Sequence, residues 1–323
     1  MAELVSADES PLLDAILDAT YEIWHDGLTR KAYGQFYAAQ QKTPWGRDHL
    51  RRVALVDGGN VLASAKIYTF DAALDGAPVR VAGLGAVFTQ PAHRGCGAAR
   101  DLIERLLARE ADAGADIALL FSAIGADYYA RLGFEAMATT DRDLRVAQSE
   151  RHGAPMTMVR GGDERDFADI ALMEHTRAEG YRFHLNRDRD LIHFSIARKR
   201  LLAGLGAAGA RELQFFIAEE GASAVAYVVI AVKGREWTLE AMGDRDPSGA
   251  RAGAILQVLL ARDPAERRPT ITGWLPAGFL PPQVTVIGEK PSAETMMIRA
   301  LSDRARLRPL APADVCYWRG DAF

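Results

Sequence analysis

Val81-Ala82-Gly83-Leu84-Gly85-Ala86-Val87-Phe88-Thr89, then Arg94-Gly95-Cys96-Gly97-Ala98-Ala99, then Tyr128-Tyr129-Ala130-Arg131-Leu132-Gly133-Phe134: these three runs decide the fold. Ala82 to Thr89 is apolar nearly throughout, which predicts a strand covered on both faces. Pro91 ends it, because proline removes a ladder donor. Gly95, Gly97 and the small pair Ala98-Ala99 let the main chain approach a ligand closely. A helix is predicted over Asp101 to Ala113, with Leu102, Ile103, Leu106 and Leu107 at helical spacing and Glu104, Arg105, Arg109 and Glu110 elsewhere on its surface. Its first turn aims free N–H groups and the positive end of the helix dipole at the loop. Arg94 adds a guanidinium that can fork onto phosphate oxygens, so the loop reads as a diphosphate nest. A dinucleotide fingerprint would need a third glycine where Arg100 stands, and a P-loop would need Gly-Lys-Ser/Thr; neither is present. For the turn alone, the alternative is a tight turn without a ligand.

Asp116 to Ser122 reads as a buried strand, and Ala126 to Leu132 as a short helix closed by Gly133 at its C′ position. This order resembles the GNAT superfamily of N-acetyltransferases. The signature Arg/Gln-x-x-Gly-x-Gly/Ala is matched by Arg94, Gly97 and Ala99, and the later aromatic-Tyr-x-x-x-Gly-Phe run by Tyr128, Tyr129, Gly133 and Phe134. Ala82 to Val87 leading into Pro91-Ala92-His93-Arg94 is most similar to the enhanced-intracellular-survival (Eis) type. Gly95-Cys96 departs from that type, which carries more arginine there.

The resemblance implies an enzyme that binds acetyl-CoA and acetylates an amine. The cofactor-binding residues it implies are Val87, Phe88 and Thr89 on the strand and Arg94, Gly95, Cys96, Gly97, Ala98 and Ala99 in the loop. Acyl transfer to an amine needs a base, donors for developing negative charge and an acid for the thiolate. Tyr129 is the expected acid, since its superfamily counterpart lies beside the thioester sulfur and a phenol of pKa about 10 is protonated at neutral pH. Tyr128 is expected to point into the fold; the alternative for Tyr129 is a core aromatic. Many superfamily members place a glutamate on the strand before the loop, and Val81 to Val87 offers none. His25, flanked by Glu22 and Asp26, is one candidate base, against a surface or capping role. Phe323 is the other: in the Eis type a terminal carboxylate, often on phenylalanine, serves as base, and this chain ends Cys316-Tyr317-Trp318-Arg319-Gly320-Asp321-Ala322-Phe323. Eis relatives carry a sterol-carrier-like domain before that tail, for which this chain has no room. Trp24, Tyr33, Phe36, Tyr37 and Trp45 are candidate acceptor walls that could hold a cation, or plain core.

The chain has 323 residues, 49% hydrophobic and 25% charged, the balance of a globular protein. A single such domain needs roughly 150 residues, so two are expected. The net charge of −4 argues against nucleic acid or an anionic membrane as partner and favours a cationic acceptor. Cys96 and Cys316 form no disulfide framework, there is no signal-peptide pattern, and no apolar run reaches membrane-spanning length, so a cytoplasmic protein is expected. His184 and His193 lack companions at ligand spacing, and no metal is assigned.

The fold class expected is α/β (α+β), two tandem GNAT-like domains, each a mixed, mostly antiparallel sheet flanked by helices. Strand Glu3 to Ser6, helices Glu9 to His25 and Thr29 to Gln41, and a hairpin of Arg52 to Asp57 with Val61 to Phe70 across Gly58-Gly59-Asn60 precede the deciding stretch. A strand near Arg142 to Val146 should close the first domain. The expected division is 1–148 catalytic, 149–155 linker, 156–305 degenerate and 306–323 a tail returning to the site. In the second copy, strand Met156 to Val159, helix Asp166 to Ala178, strands Gln214 to Ala218, Ser223 to Val232 and Trp237 to Met242, and helix Arg251 to Ala261 repeat the plan. Asp244 and Asp246 stand where diphosphate would sit, so this copy reads as non-binding. The acceptor implied is a small-molecule or exposed-lysine amine (free lysine, a polyamine or an aminoglycoside), with homo-oligomerisation left open. The rival from another class is a non-catalytic acyl-CoA sensor or partner-binding pseudoenzyme.

Overall fold

The apolar runs become strands and the 3.6-periodic segments become helices. The computed structural model describes residues 2–148, 158–305 and 309–323. In chain order its first part is β1 (Glu3–Ser6), α1 (Leu12–Trp24), α2 (Arg30–Lys42), α3 (Pro44–His49), β2 (Leu50–Asp57), β3 (Asn60–Leu74), β4 (Ala77–Thr89), α4 (Ala98–Asp112), β5 (Ile117–Ser122), α5 (Asp127–Ala130), β6 (Glu135–Met137) and β7 (Thr140–Val146). There follow β8 (Met158–Gly161), α6 (Phe167–Ala178), β9 (Phe183–Leu185), α7 (Arg189–Leu205), β10 (Glu212–Glu220), β11 (Ser223–Lys233), β12 (Glu236–Asp244) and α8 (Ala250–Leu260). The chain ends with β13 (Thr270–Gly273), β14 (Val284–Pro291), β15 (Thr295–Ala300) and β16 (Val315–Cys316).

The chain divides into two compact units. One comprises Met1–Ala138, Ala293–Leu310 and Phe323; the other Thr139–Ser292 and Ala311–Ala322. In the first unit the strand order is β1-β2-β3-β4-β5-β15-β6, antiparallel except where β5 runs parallel to β4. Leu102, Ile103, Leu106 and Leu107 of α4 pack with Val53, Leu55, Ile67, Leu84 and Leu120 of this sheet in one core. Burying such side chains contributes about 1.5–3 kcal/mol each. In the second unit the order is β14-β7-β13-β12-β11-β10-β8, with Phe167 and Ile170 of α6 and Ile255 and Leu256 of α8 in the core beneath it.

The tandem α/β plan is borne out, and the division is not where the sequence put it. β7 forms, but it does not close the first domain: it lies between β13 and β14 in the second sheet. β15, assigned by number to the second copy, sits between β5 and β6 in the first. Each swapped strand is apolar on its covered positions, so pattern alone cannot say which sheet takes it. The linker 149–155 lies outside the described residues, as does the start of the strand expected from Met156. No helix among the described residues is long and apolar enough to cross a membrane.

Candidate active site

A bulge opens β4. Its register with β3 slips between Ser64↔Phe88 and Lys66↔Gly85, so Ala86 and Val87 together face Ala65. Ala86 takes a φ of +49°, a left-handed conformation that costs a non-glycine residue about 1–3 kcal/mol and persists only where its surroundings impose it. The parallel ladder of β4 with β5 runs from Val81↔Ile117 to Leu84↔Leu120 and stops, yet β4 continues to Thr89. From Gly85 onward the main chain of β4 has no ladder partner on its β5 side, which presents the N–H and C=O groups of this segment to a ligand. Val87, Phe88 and Thr89 lie in this segment. The Trp24 ring, at the end of α1, meets Phe88 edge-on at 6.2 Å.

After β4 a single turn (Pro91–His93) leads to an exposed loop in which Gly95 and Gly97 have φ of +77° and +84°. Arg94 donates from Nε to the Thr89 carbonyl at 3.3 Å, tying the loop to the strand end. Gly97 is the N-cap of α4, no side chain caps that end, and the first helical bond is Asp101 N–H to the Gly97 carbonyl. The amides of Ala98, Ala99 and Arg100 therefore point out of the first turn with no helical acceptor. The Cys96 thiol is exposed at the rim and directs its Sγ to the Arg94 carbonyl. Among the described residues this loop, with the open strand segment, fits a CoA diphosphate and pantetheine.

The second unit contains its own control. α8 also begins after a left-handed glycine, Gly249 at φ +72°. There the Asp244 carboxylate accepts from the amides of Arg251 (2.7 Å) and Ala252 (3.1 Å) and pairs with the Arg251 guanidinium at 3.2 Å. The position a phosphate would take is occupied by the chain's own carboxylate. Asp246, grouped with it from sequence, instead accepts from Ser248 N–H in the turn.

Tyr129 sits on α5, whose end is closed by Gly133 at φ +80°, with Leu132 and Phe134 donating to the Tyr129 carbonyl. Its ring lies in the core with Leu102, Leu106 and Phe134, and burial, reinforced by Tyr128, pushes the phenol up to about 12. The hydroxyl makes no hydrogen bond to the described residues, yet it is not among the sealed, unpartnered polar atoms. The expectation that Tyr128 points inward is corrected: Tyr129 is 8% exposed, and Tyr128 is the partly exposed neighbour, edge-on at 5.1 Å.

Phe323 packs in the first unit. Its ring stands 4.6 Å from Tyr68, 5.4 Å from Phe70 and 5.6 Å from Phe121. Beneath it are Gly83 and Gly85. A Cβ on Gly83 would lie 2.6 Å from Phe323 Cζ, and one on Gly85 would lie 3.3 Å from Cδ2 and 3.6 Å from the Phe323 main-chain carbonyl carbon. Sequence reasoning missed these glycines as site residues. The signal was present, since glycine at alternate positions of a strand marks close approach of another group.

His25 is placed elsewhere. It caps α1, its Nδ1 accepts from Gly27 N–H at 3.0 Å, and its ring lies 5.1 Å from Tyr21. Of the aromatic cluster, Tyr33, Tyr37 and Trp45 are buried, and Trp45 stacks on Phe70. The cation expected over these rings is supplied by the chain itself: Arg52 and Lys66 cover Tyr37. Among the described residues no three His, Cys, Asp or Glu side chains are grouped to hold a metal.

Residues 13–137, within the first unit, match the family described as acetyltransferase (GNAT) domain. Over nearly its whole length the chain has the tandem fold of solved acyltransferases. A GCN5-related N-acetyltransferase from Kribbella flavida is similar over 93% of this chain and 71% of its own, with a TM-score of 0.68 at 20% identity. Eis1 from Mycobacterium abscessus covers 93% of this chain and 74% of its own, with a TM-score of 0.57 at 15% identity. Saccharomyces cerevisiae N-myristoyltransferase with bound myristoyl-CoA covers 92% and 78%, at 0.56 and 10%. No match was found among curated proteins.

Proposed function

We propose that this chain is an acetyl-CoA-dependent N-acetyltransferase that acts on a primary amine by direct transfer within a ternary complex. One observation carries the reading: Phe323 rests on Gly83 and Gly85, with its main-chain carbonyl carbon beside the residue that opens the β4 bulge. Bound here, acetyl-CoA supplies an activated acetyl thioester. Val87, Phe88 and Thr89 hold its pantetheine through main-chain groups, and Arg94 with the amides of the Gly95–Ala99 loop holds the diphosphate. A β4 N–H orients the acyl carbonyl and stabilises negative charge as it develops there. The carboxylate of Phe323 takes the proton from the acceptor's ammonium, leaving a lone pair on nitrogen, and so fills the role that His25, turned into its own cap, does not. The Tyr129 hydroxyl delivers a proton to sulfur as C–N forms and C–S breaks. Both cysteines are free thiols, which suits a reducing cytoplasm.

Appending one residue after Phe323 tests the reading. The extended protein should bind CoA normally and lose turnover; wild-type turnover would exclude the Phe323 carboxylate as base.

A further inference from the structure

β4 and β5 part company at a fork. Their parallel ladder ends at Leu84↔Leu120, and both strands run on, β4 to Thr89 and β5 to Ser122. Side chains alternate across a sheet, and Leu84 and Leu120 lie in the core with α4 and Tyr129. Gly83, Gly85 and Phe121 therefore take the opposite face, and on that face lies the Phe323 ring.

The ring is locked there. Tyr68 and Phe70 stand beside it at 4.6 and 5.4 Å, Phe121 meets it edge-on at 5.6 Å, and Phe70 is itself stacked on Trp45 at 5.2 Å. Tyr68, Phe70 and Trp45 are buried, whereas Phe121 and Phe323 are only partly so. The apolar surface left uncovered in this cluster thus belongs to the two rings at the fork. On the Gly83 side the ring meets main chain so closely that a Cβ would lie 2.6 Å from its Cζ. A wall fixed by rings and main chain yields to an intruding methylene only by repacking its neighbours.

Any last residue would supply a terminal carboxylate; the phenylalanine adds the wall. With the diphosphate at the Arg94–Ala99 loop, the pantetheine runs back along β4 from Thr89 toward Gly85. The acyl end then arrives where the two strands rejoin, against the ring. We propose that the Phe323 ring is the floor of the acyl site and limits the donor to acetyl-CoA, so that one residue serves the amine with its carboxylate and measures the acyl chain with its ring. The inference rests on the acetyltransferase reading above and specifies its donor.

The other role open to the ring is to anchor the carboxylate, and the two roles separate in the acyl-CoA profile. Anchorage alone lowers turnover of every donor equally, whereas a floor changes their ratio. Thiol release from acetyl-, propionyl- and butyryl-CoA is compared with the full chain over a panel of L-lysine, spermidine and kanamycin. Wild-type kcat/KM should fall roughly 10-fold or more from acetyl- to propionyl-CoA, and further for butyryl-CoA. Phe323→Ala removes the ring and keeps a terminal carboxylate; whatever its absolute rate, it should bring butyryl-CoA within about threefold of acetyl-CoA. Phe323→Trp should steepen the profile. Each ratio is internal to one variant, so a displaced carboxylate or partial misfolding cancels. A flat wild-type profile, or an acetyl preference unchanged in Phe323→Ala, overturns the floor. If no amine releases thiol from any donor, the acetyltransferase reading fails separately. Calorimetric titration of acetyl-CoA and butyryl-CoA into wild type and Phe323→Ala then decides the floor. Tighter binding of acetyl-CoA that the substitution evens out supports it; equal affinities in the wild type overturn it.

Discussion

Tyr128 and Tyr129 are adjacent in sequence and unequal in environment. α5 turns one ring into the core beside Leu102 and Phe134 and leaves the other at the rim. Because burial raises the Tyr129 phenol to about 12, the group stays protonated across the physiological range. Tyr129→Phe should lower kcat about 100-fold or more while leaving CoA affinity nearly unchanged; pre-steady-state thiol release checks this. The shift also has a sign for stability. The folded pKa lies above the unfolded value of about 10, so stability present below pH 10 is lost as pH rises toward 12. In urea titrations Tyr129→Phe should make that alkaline decline shallower. Gly85→Val would set a branched side chain against Phe323 and Tyr68, and should cut kcat at least tenfold without changing CoA affinity. If the effect operates through Phe323, the same substitution should add little in a chain lacking that residue.

At the scale of elements, α4 and α8 are the informative pair. Both start from a left-handed glycine, and a single carboxylate decides whether the first turn faces outward or is capped from within. Asp244→Ala should cost the second unit about 1–2 kcal/mol in urea unfolding, by loss of the cap. Much at this scale was legible in sequence. Helix and strand periodicity placed α1, α2, α4, β2 to β5, β10 to β12 and α8, and Gly133 closed α5 where the turn chemistry required it. The β4 bulge was not legible, because Ala86 carries no residue-type signal for a positive φ. The buried Arg52 and Lys66 pair was equally hidden: charged residues in a strand read as a solvated face until the register shows them opposed under α2.

At the scale of the whole molecule, long-range pairing defeated sequence reasoning. β15 pairs with β5 and β6 from far along the chain, while β7 leaves its neighbours for the second sheet. A fragment of residues 1–148 should therefore show no cooperative thermal transition by circular dichroism, since it lacks a central strand of its sheet. The second unit depends on a buried ionic knot: Glu174 accepts from Arg187 at 2.7 Å, Tyr227 at 2.7 Å and Trp318 at 2.9 Å. The flanking arginines hold the Glu174 carboxyl below its ordinary range against the pull of burial, which acts the other way. A depressed carboxylate contributes stability above its unfolded pKa of about 4.5 that is lost as pH falls below it. Glu174→Gln should destabilise the unit by about 3–5 kcal/mol, since it removes one of the two buried carboxylates that pair with Arg187.

The position of β15 also sets a timetable for synthesis. β5 leaves the ribosome long before its neighbour exists, and at roughly 5–20 residues per second the wait from Ser122 to Thr295 is of the order of 10–30 s. Throughout that interval the nascent first sheet has an unpaired edge of Ile117 to Ser122, an apolar segment of the kind that invites pairing with other chains. Chains stalled before residue 295 should therefore aggregate more readily than full-length chains, a consequence of where one late strand inserts.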